Sequence, residues 1–223
     1  MTDQNPFFKI DAAGLEFLRA QWVDLTLHCG ADRVDVEEWF DRLVQSYGAS
    51  DRAYHNLGHI RSLLSLGDSF KGSVRHYDAL RFAIWFHDAV YDSRRKDNED
   101  LSAEMAGESL LILKVPLATA EQVREMILAT KDHKPRGGGK DQELFLDFDL
   151  AILGSADPIY QNYAKAIRSE YQWVPDFAYR QERKKVLESF LARDSLYYTE
   201  EMIQKYERQA RWNVEREIKF LSD

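Results

Sequence analysis

The chain has 223 residues, 44% of them hydrophobic and 30% charged, the make-up of an ordinary globular protein and not of a disordered or fibrous one. Its 38 acidic against 30 basic side chains give a formal charge of −8, which excludes a general duplex-binding surface, because neutralising phosphates requires a basic face. The single cysteine, Cys29, excludes an internal disulfide framework and fits a reducing compartment.

In chain order, the first fourteen residues show no basic stretch followed by an apolar core, so no secretory signal is expected. No apolar run approaches the ~18–20 residues needed to cross a bilayer, and a cytoplasmic protein without membrane partners is the expectation. Leu15, Leu18, Trp22 and Leu25 share one face of a first helix, with Cys29 beside Leu25 as a small buried residue. Val36, Trp39, Phe40, Leu43, Val44 and Tyr47 mark a second helix, which Gly48 ends. Tyr77, Leu80, Ala83 and Ile84 lead into His87, inside an apolar stretch from Phe82 to Tyr91. Thr119-Ala-Glu-Gln122 has the form of a capping box ahead of Val123, Met126 and Ile127. Lys134-Pro-Arg-Gly-Gly-Gly-Lys140 reads as a flexible loop. Asp157-Pro158 predicts a helix start with Asp as N-cap and Pro at the first position. Two long polar-rich helices, about 177–193 and 199–221 by apolar spacing, close the chain.

No segment alternates apolar and polar residues like a half-buried strand. The fold class expected is all-α, with about eight to ten helices. One domain over 1–223 is the simpler reading, and the last two helices are alternatively an appendage or a surface for a second copy of the chain.

The phosphate loop, the dinucleotide glycine fingerprint, the Gly-x-Ser-x-Gly elbow and His-Glu-x-x-His are all absent from the sequence. Chemistry concentrates instead at the histidines. Tyr54-His-Asn-Leu-Gly-His59 places two imidazoles four residues apart, on one face if that stretch is helical. In Phe86-His-Asp-Ala-Val-Tyr-Asp92 a His-Asp pair interrupts an otherwise apolar helix. Burying imidazole and carboxylate there unpaired is costly, and a divalent metal bound to both would satisfy them. The plain alternative for either cluster alone is a core histidine hydrogen-bonded to a carbonyl. Together they supply the mixed nitrogen and oxygen ligands that suit Mn, Fe, Ni, Zn or, less well, Mg.

His59, then His87-Asp88, then a late Asp in an all-α chain resembles the HD-domain metal-dependent phosphohydrolase superfamily. Tyr54-His-Asn-x-x-His59 is also similar to the signature of cyclic-nucleotide phosphodiesterases, distant members of that superfamily. More closely, YHNLGHI, FHDAVYD, DNEDLSAE, ILATKDH and FLDFDLAILG, in this order, resemble a bacterial family of predicted HD-superfamily hydrolases. That resemblance runs from about Tyr54 to Gly154 and more weakly, through IRSEY, to the C-terminus.

The resemblance implies an HD-domain-like helical bundle with additional C-terminal helices: a metal-site core of about 36–155 and an extension of about 156–223. It implies His59, His87 and Asp88 as metal ligands, with the fourth in Leu146-Asp-Phe-Asp-Leu150. Asp147 and Asp149 are two apart, so on a helix they point in different directions. Related families place the ligand at the second Asp, which selects Asp149; Asp147 is the fallback, or it orients a ligand. His55 matches the phosphodiesterases' proton donor to the leaving oxygen. Asp92 and Glu99 are candidates to activate water or to hold a second metal. Asp97 shares that role or caps the next helix. Lys131, His133, Arg168 and Arg183 are candidate substrate contacts, with Lys134 and Arg136 near the first two. His133 reads equally as a second-metal ligand or as a surface residue, and Arg168 and Arg183 as members of surface ion pairs. His28 and His76 are assigned to structure.

The function expected is metal-dependent hydrolysis of a nucleotide or other small phosphate ester, by phosphomonoesterase or phosphodiesterase chemistry. The cofactor would be a divalent ion: Mn, Ni, Co, Fe, Zn or Mg. The alternatives are a catalytically silent module that binds metal or nucleotide, and a di-iron oxygenase of the same superfamily. The latter would need His133 with Glu99 or Asp92 for its second iron.

Overall fold

The computed structural model describes residues 10–222, so the reading of the first nine residues lies outside the described part. The described residues are helical, without strand, in ten α-helices and two short 3-10 turns. The all-α expectation holds. The chain divides into two compact units, Met1–Leu146 and Asp147–Asp223, with the division inside the seventh helix.

The first unit contains α1 (Ala12–His28), α2 (Arg33–Tyr47), α3 (Leu57–Ser69), α4 (Tyr77–Phe86), α5 (Asn98–Ile112), α6 (Leu117–Ala129) and most of α7 (Gly139–Leu150). Helix α4 is its centre. Every residue from Ala79 to Phe86 is buried, Arg81 among them, as suits a largely apolar central helix, and α4 packs on α3, α5 and α6. Trp22 of α1 meets Phe82, Trp85 and Phe86 edge-on, with ring centroids 5.3–6.2 Å apart. Trp39 and Phe40 of α2 pack on Phe86 and Trp85. The hydroxyl of Tyr47 donates to the carbonyl of Trp85 at 2.9 Å. Within this packing the last turn of α4, where His87 begins, is held from several sides.

The second unit follows α7 with a 3-10 turn (Ala151–Gly154), α8 (Asp157–Glu170), α9 (Asp176–Leu191) and α10 (Glu200–Ser222). Asn213 of α10 is fully buried and donates to the carbonyls of Leu153 and Ser155 at 2.7 and 2.8 Å. Gly154 lies so close to α10 that a Cβ there would stand 2.7 Å from Cβ and 2.8 Å from the carbonyl oxygen of Tyr206. Because one neighbour is backbone, Gly154→Ala is expected to cost about 1–3 kcal/mol. Thermal denaturation should show a lower midpoint, and an unchanged midpoint would mean that α10 yields without cost.

Several helix starts differ from the sequence reading. Pro116, with φ −55°, is the N-cap of α6, so Thr119 lies inside the helix and no capping box forms. Asp157 is the first helical residue behind Ala156, and its carboxylate bonds Arg216 and Gln161 instead of capping. Asp97 is the N-cap of α5 without a side-chain cap bond, its carboxylate being held by Arg95. The glycine loop is shorter than expected, since Gly139 and Lys140 already belong to α7. Among the described residues no helix is long and apolar enough to cross a membrane.

Candidate metal centre

Asn56 decides how the first histidine segment is arranged. Its side-chain oxygen accepts the amide of Gly58 at 2.8 Å, making it the N-cap of α3, as suits an Asn before a helix. Its amide group donates to the carbonyl of Ala53 at 2.9 Å. Helix α3 therefore starts at Leu57, and His55 precedes it. The expectation that His55 and His59 share a helix face is corrected: only His59 is helical. His55 stacks on Tyr91, with ring centroids 4.3 Å apart and planes at 29°, and its ring lies 6.2 Å from that of His59.

The second segment is corrected in a similar way. His87 caps the C-terminus of α4, so the His-Asp pair leaves a helix end and does not sit within a continuing helix. The Nδ1 of His87 lies 3.0 Å from the carbonyl of Ile84. A carbonyl can only accept, so Nδ1 carries the proton, and in the neutral ring Nε2 presents its lone pair. That Nε2 stands 3.2 Å from Nε2 of His59. Oδ2 of Asp88 is 3.1 Å from the His87 nitrogen and 3.9 Å from the His59 nitrogen. Both histidines are buried, while the Asp88 side chain is 18% exposed.

Asp149 joins the group from the last turn of α7, one unbroken helix whose earlier turns belong to the first unit. One ligand atom each from His59, His87 and Asp149 lies within 4.8 Å of the others, a grouping able to hold a metal ion. The donor chemistry fits. One proton can bridge one pair of these nitrogens and oxygens, whereas a divalent cation attracts all of them at once. Two imidazoles with carboxylates form the mixed set that first-row divalent ions accept.

Asp147, two residues earlier, faces elsewhere, as the helical spacing requires. It is fully buried and accepts the amides of Tyr198 and Thr199 at 2.7 and 2.8 Å and the Thr199 hydroxyl at 2.7 Å. Its carboxylate ties down the start of α10, so Asp149 and not the fallback Asp147 lies in the grouping with His59 and His87 that could hold a metal ion.

The remaining candidates are placed less uniformly. Asp92 accepts the amide of Arg94 at 2.9 Å, and its own amide and carbonyl are bonded by Asn98. Glu99 lies in the first turn of α5. Lys131 is exposed and bonds Asp100 at 2.7 Å, a contact that raises its pKa. His133 has φ 49° in the turn after α6, and neither it, Glu99 nor Asp92 is part of the grouping that includes His59.

Arg168 and Arg183 both lie in the second unit with internal partners. Arg168 donates to the carbonyls of Tyr171 and Val174 at 2.8 and 3.2 Å, pairs with Asp176 and covers the ring of Tyr179. It closes the turn between α8 and α9. Arg183 is buried, forks onto Glu217 at 2.8 and 3.2 Å and covers the Tyr163 ring. Burial opposes its charge, but Tyr163 and Glu217 outweigh that and hold its pKa well above the ordinary value. Both make ion pairs, and that of Arg183 is buried where a surface pair was the alternative expected.

One residue near the histidines escaped the sequence reading altogether. Arg52 is buried and donates to the carbonyls of His55, Asp88 and Ala89 at 3.3, 2.6 and 2.9 Å. It stands just ahead of the Tyr54–His59 motif, but nothing in its spacing marks it as buried.

Compared with family models, with curated proteins and with solved structures, the chain matches none.

Proposed function

We propose that the protein is a metal-dependent phosphohydrolase acting on a nucleotide or other small phosphate ester. The observation that carries this reading is the convergence of His59, His87, Asp88 and Asp149 from three separated stretches of sequence. The ordered resemblance to HD-superfamily hydrolases supports it. These four side chains would hold the ion. A divalent ion so held supplies a water of lowered pKa and polarises a phosphoryl oxygen.

The chain's own groups do the rest. His55, fixed on Tyr91 and half-buried, donates a proton to the leaving oxygen. Lys131 meets a half-exposed aspartate at the surface, where ion pairs contribute little, so a phosphate can replace Asp100 at little cost. His133 follows in the same turn and adds a second contact of the same kind. Asp92 and Glu99 flank the start of α5 and accept or orient protons.

The test is a panel of phosphate esters offered to protein loaded with Mn, Ni, Co or Mg. Hydrolysis of at least one class is expected, and His55→Ala should lower kcat by about 10²–10⁴ with metal content unchanged. Bound metal and tightly held nucleotide without turnover under any metal would replace this reading with a silent binding module.

A further inference from the structure

We propose that Arg52 is the positioning residue of the metal-binding group: its guanidinium fixes the His55–His59 segment against the end of α4 and thereby sets metal affinity. The inference rests on reading the histidine cluster as a metal centre.

The two segments are distant in sequence. Arg52 lies 36 and 37 positions before Asp88 and Ala89, yet one side chain donates to both of their carbonyls and to that of His55. The bonds fall on main-chain atoms, so they fix where Asp88 and His55 begin without using up either side chain. The guanidinium is flanked by the rings of Tyr47, at 5.0 Å, and Tyr91, at 5.6 Å. Tyr47 is itself bonded to the carbonyl of Trp85, in the last turn of α4, and Tyr91 carries the stacked ring of His55. Thus one planar fork meets the main chain behind Asp88, the main chain of His55 and the aromatic supports of both. A lysine is a point donor and cannot reproduce three bonds in two directions. Groups that orient ligands from behind typically change metal affinity 10–100-fold when removed.

Charge and geometry predict opposite signs, which makes the test decisive. Removing a positive charge near a cation site raises cation affinity, whereas loosening the ligands lowers it. Calorimetric titration with Mn, Ni or Zn would compare wild type, Arg52→Met, Arg52→Lys and Arg81→Lys. Arg81 is a buried arginine bonded to Gln21 and Asp24 of α1 and serves as the control for a purely structural loss. The expected result is metal affinity about 10–100-fold weaker in Arg52→Met, partial recovery in Arg52→Lys and wild-type affinity in Arg81→Lys, whatever the metal-free melting temperatures. Wild-type or tighter affinity in both Arg52 variants overturns the proposal. So does an equal loss in Arg81→Lys. Should Arg52→Met fail to fold, Arg52→Lys decides alone: weakened binding supports the proposal and wild-type binding overturns it. A wild-type protein that binds none of the metals contradicts the metal-centre reading itself, a result distinct from unchanged affinity in the Arg52 variants.

Discussion

Replacing His87 and Asp88 together by alanine is expected to abolish both metal binding and phosphoester hydrolysis. The double change removes one of the two facing imidazole nitrogens and the carboxylate 3.1 Å from it, leaving His59 and Asp149 of the group. A metal's contribution to such a reaction is several kcal/mol, and each 1.36 kcal/mol is tenfold in rate. The fall should therefore be about a thousandfold or more. The fold should survive, since α4 is held by Trp22, Trp39, Phe40 and Tyr47 through residues other than these two. Circular dichroism checks that. Added metal should raise the wild-type melting temperature, because a ligand of the native state stabilises it by mass action, about 2.7 kcal/mol at a hundredfold excess over Kd. The double variant should show no such rise. Hydrolysis retained at the wild-type rate in a folded double variant would contradict the proposed mechanism.

The two aspartates of α7 should behave in opposite ways. Asp147→Ala is expected to be strongly destabilising, by about 3 kcal/mol or more. It strips partners from two amides and a hydroxyl at the start of α10, and each buried polar group left unsatisfied costs about 1–3 kcal/mol. Asp149→Asn keeps the shape of a side chain that is only partly buried and should change stability little in metal-free protein, yet weaken metal binding sharply. Chemical denaturation of metal-free protein, with metal titration alongside, separates the two effects. Metal binding lost in Asp147→Ala while it remains folded, and retained in Asp149→Asn, would exchange their roles.

The sequence made these two aspartates distinguishable but could not say what each one meets. Spacing alone shows that residues two apart on a helix diverge, and the structure agrees. What it cannot show is that Tyr198 and Thr199, about fifty positions later, need a carboxylate. The same limit explains the other differences. The helical period was plain wherever one face is buried, as in α2 and α10, and the last two helices end within two residues of their expected bounds. Helix starts were harder, because competing caps lie within a few residues of each other. Pro116 pre-empts Thr119, and Asn56 starts α3 after His55 although the His-x-x-x-His spacing suggests one helix. Helix α4 is buried on all sides, so its period carries no direction and its end at His87 could not be read from the pattern. Arg183 and Arg52 illustrate a third limit. Arginine is usually exposed, so a buried fork onto Glu217 or onto three carbonyls leaves no mark in local sequence.

The central claim, that His59, His87, Asp88 and Asp149 form a divalent-metal centre, is met most directly by elemental analysis of protein purified without a metal-affinity step. Wild type should hold a first-row divalent ion, or Mg, in near-stoichiometric amount, and the His87→Ala/Asp88→Ala variant prepared alongside should hold none. Equal metal content in the two proteins, or a wild type that neither contains nor takes up any of Mn, Fe, Co, Ni, Zn and Mg, would contradict it.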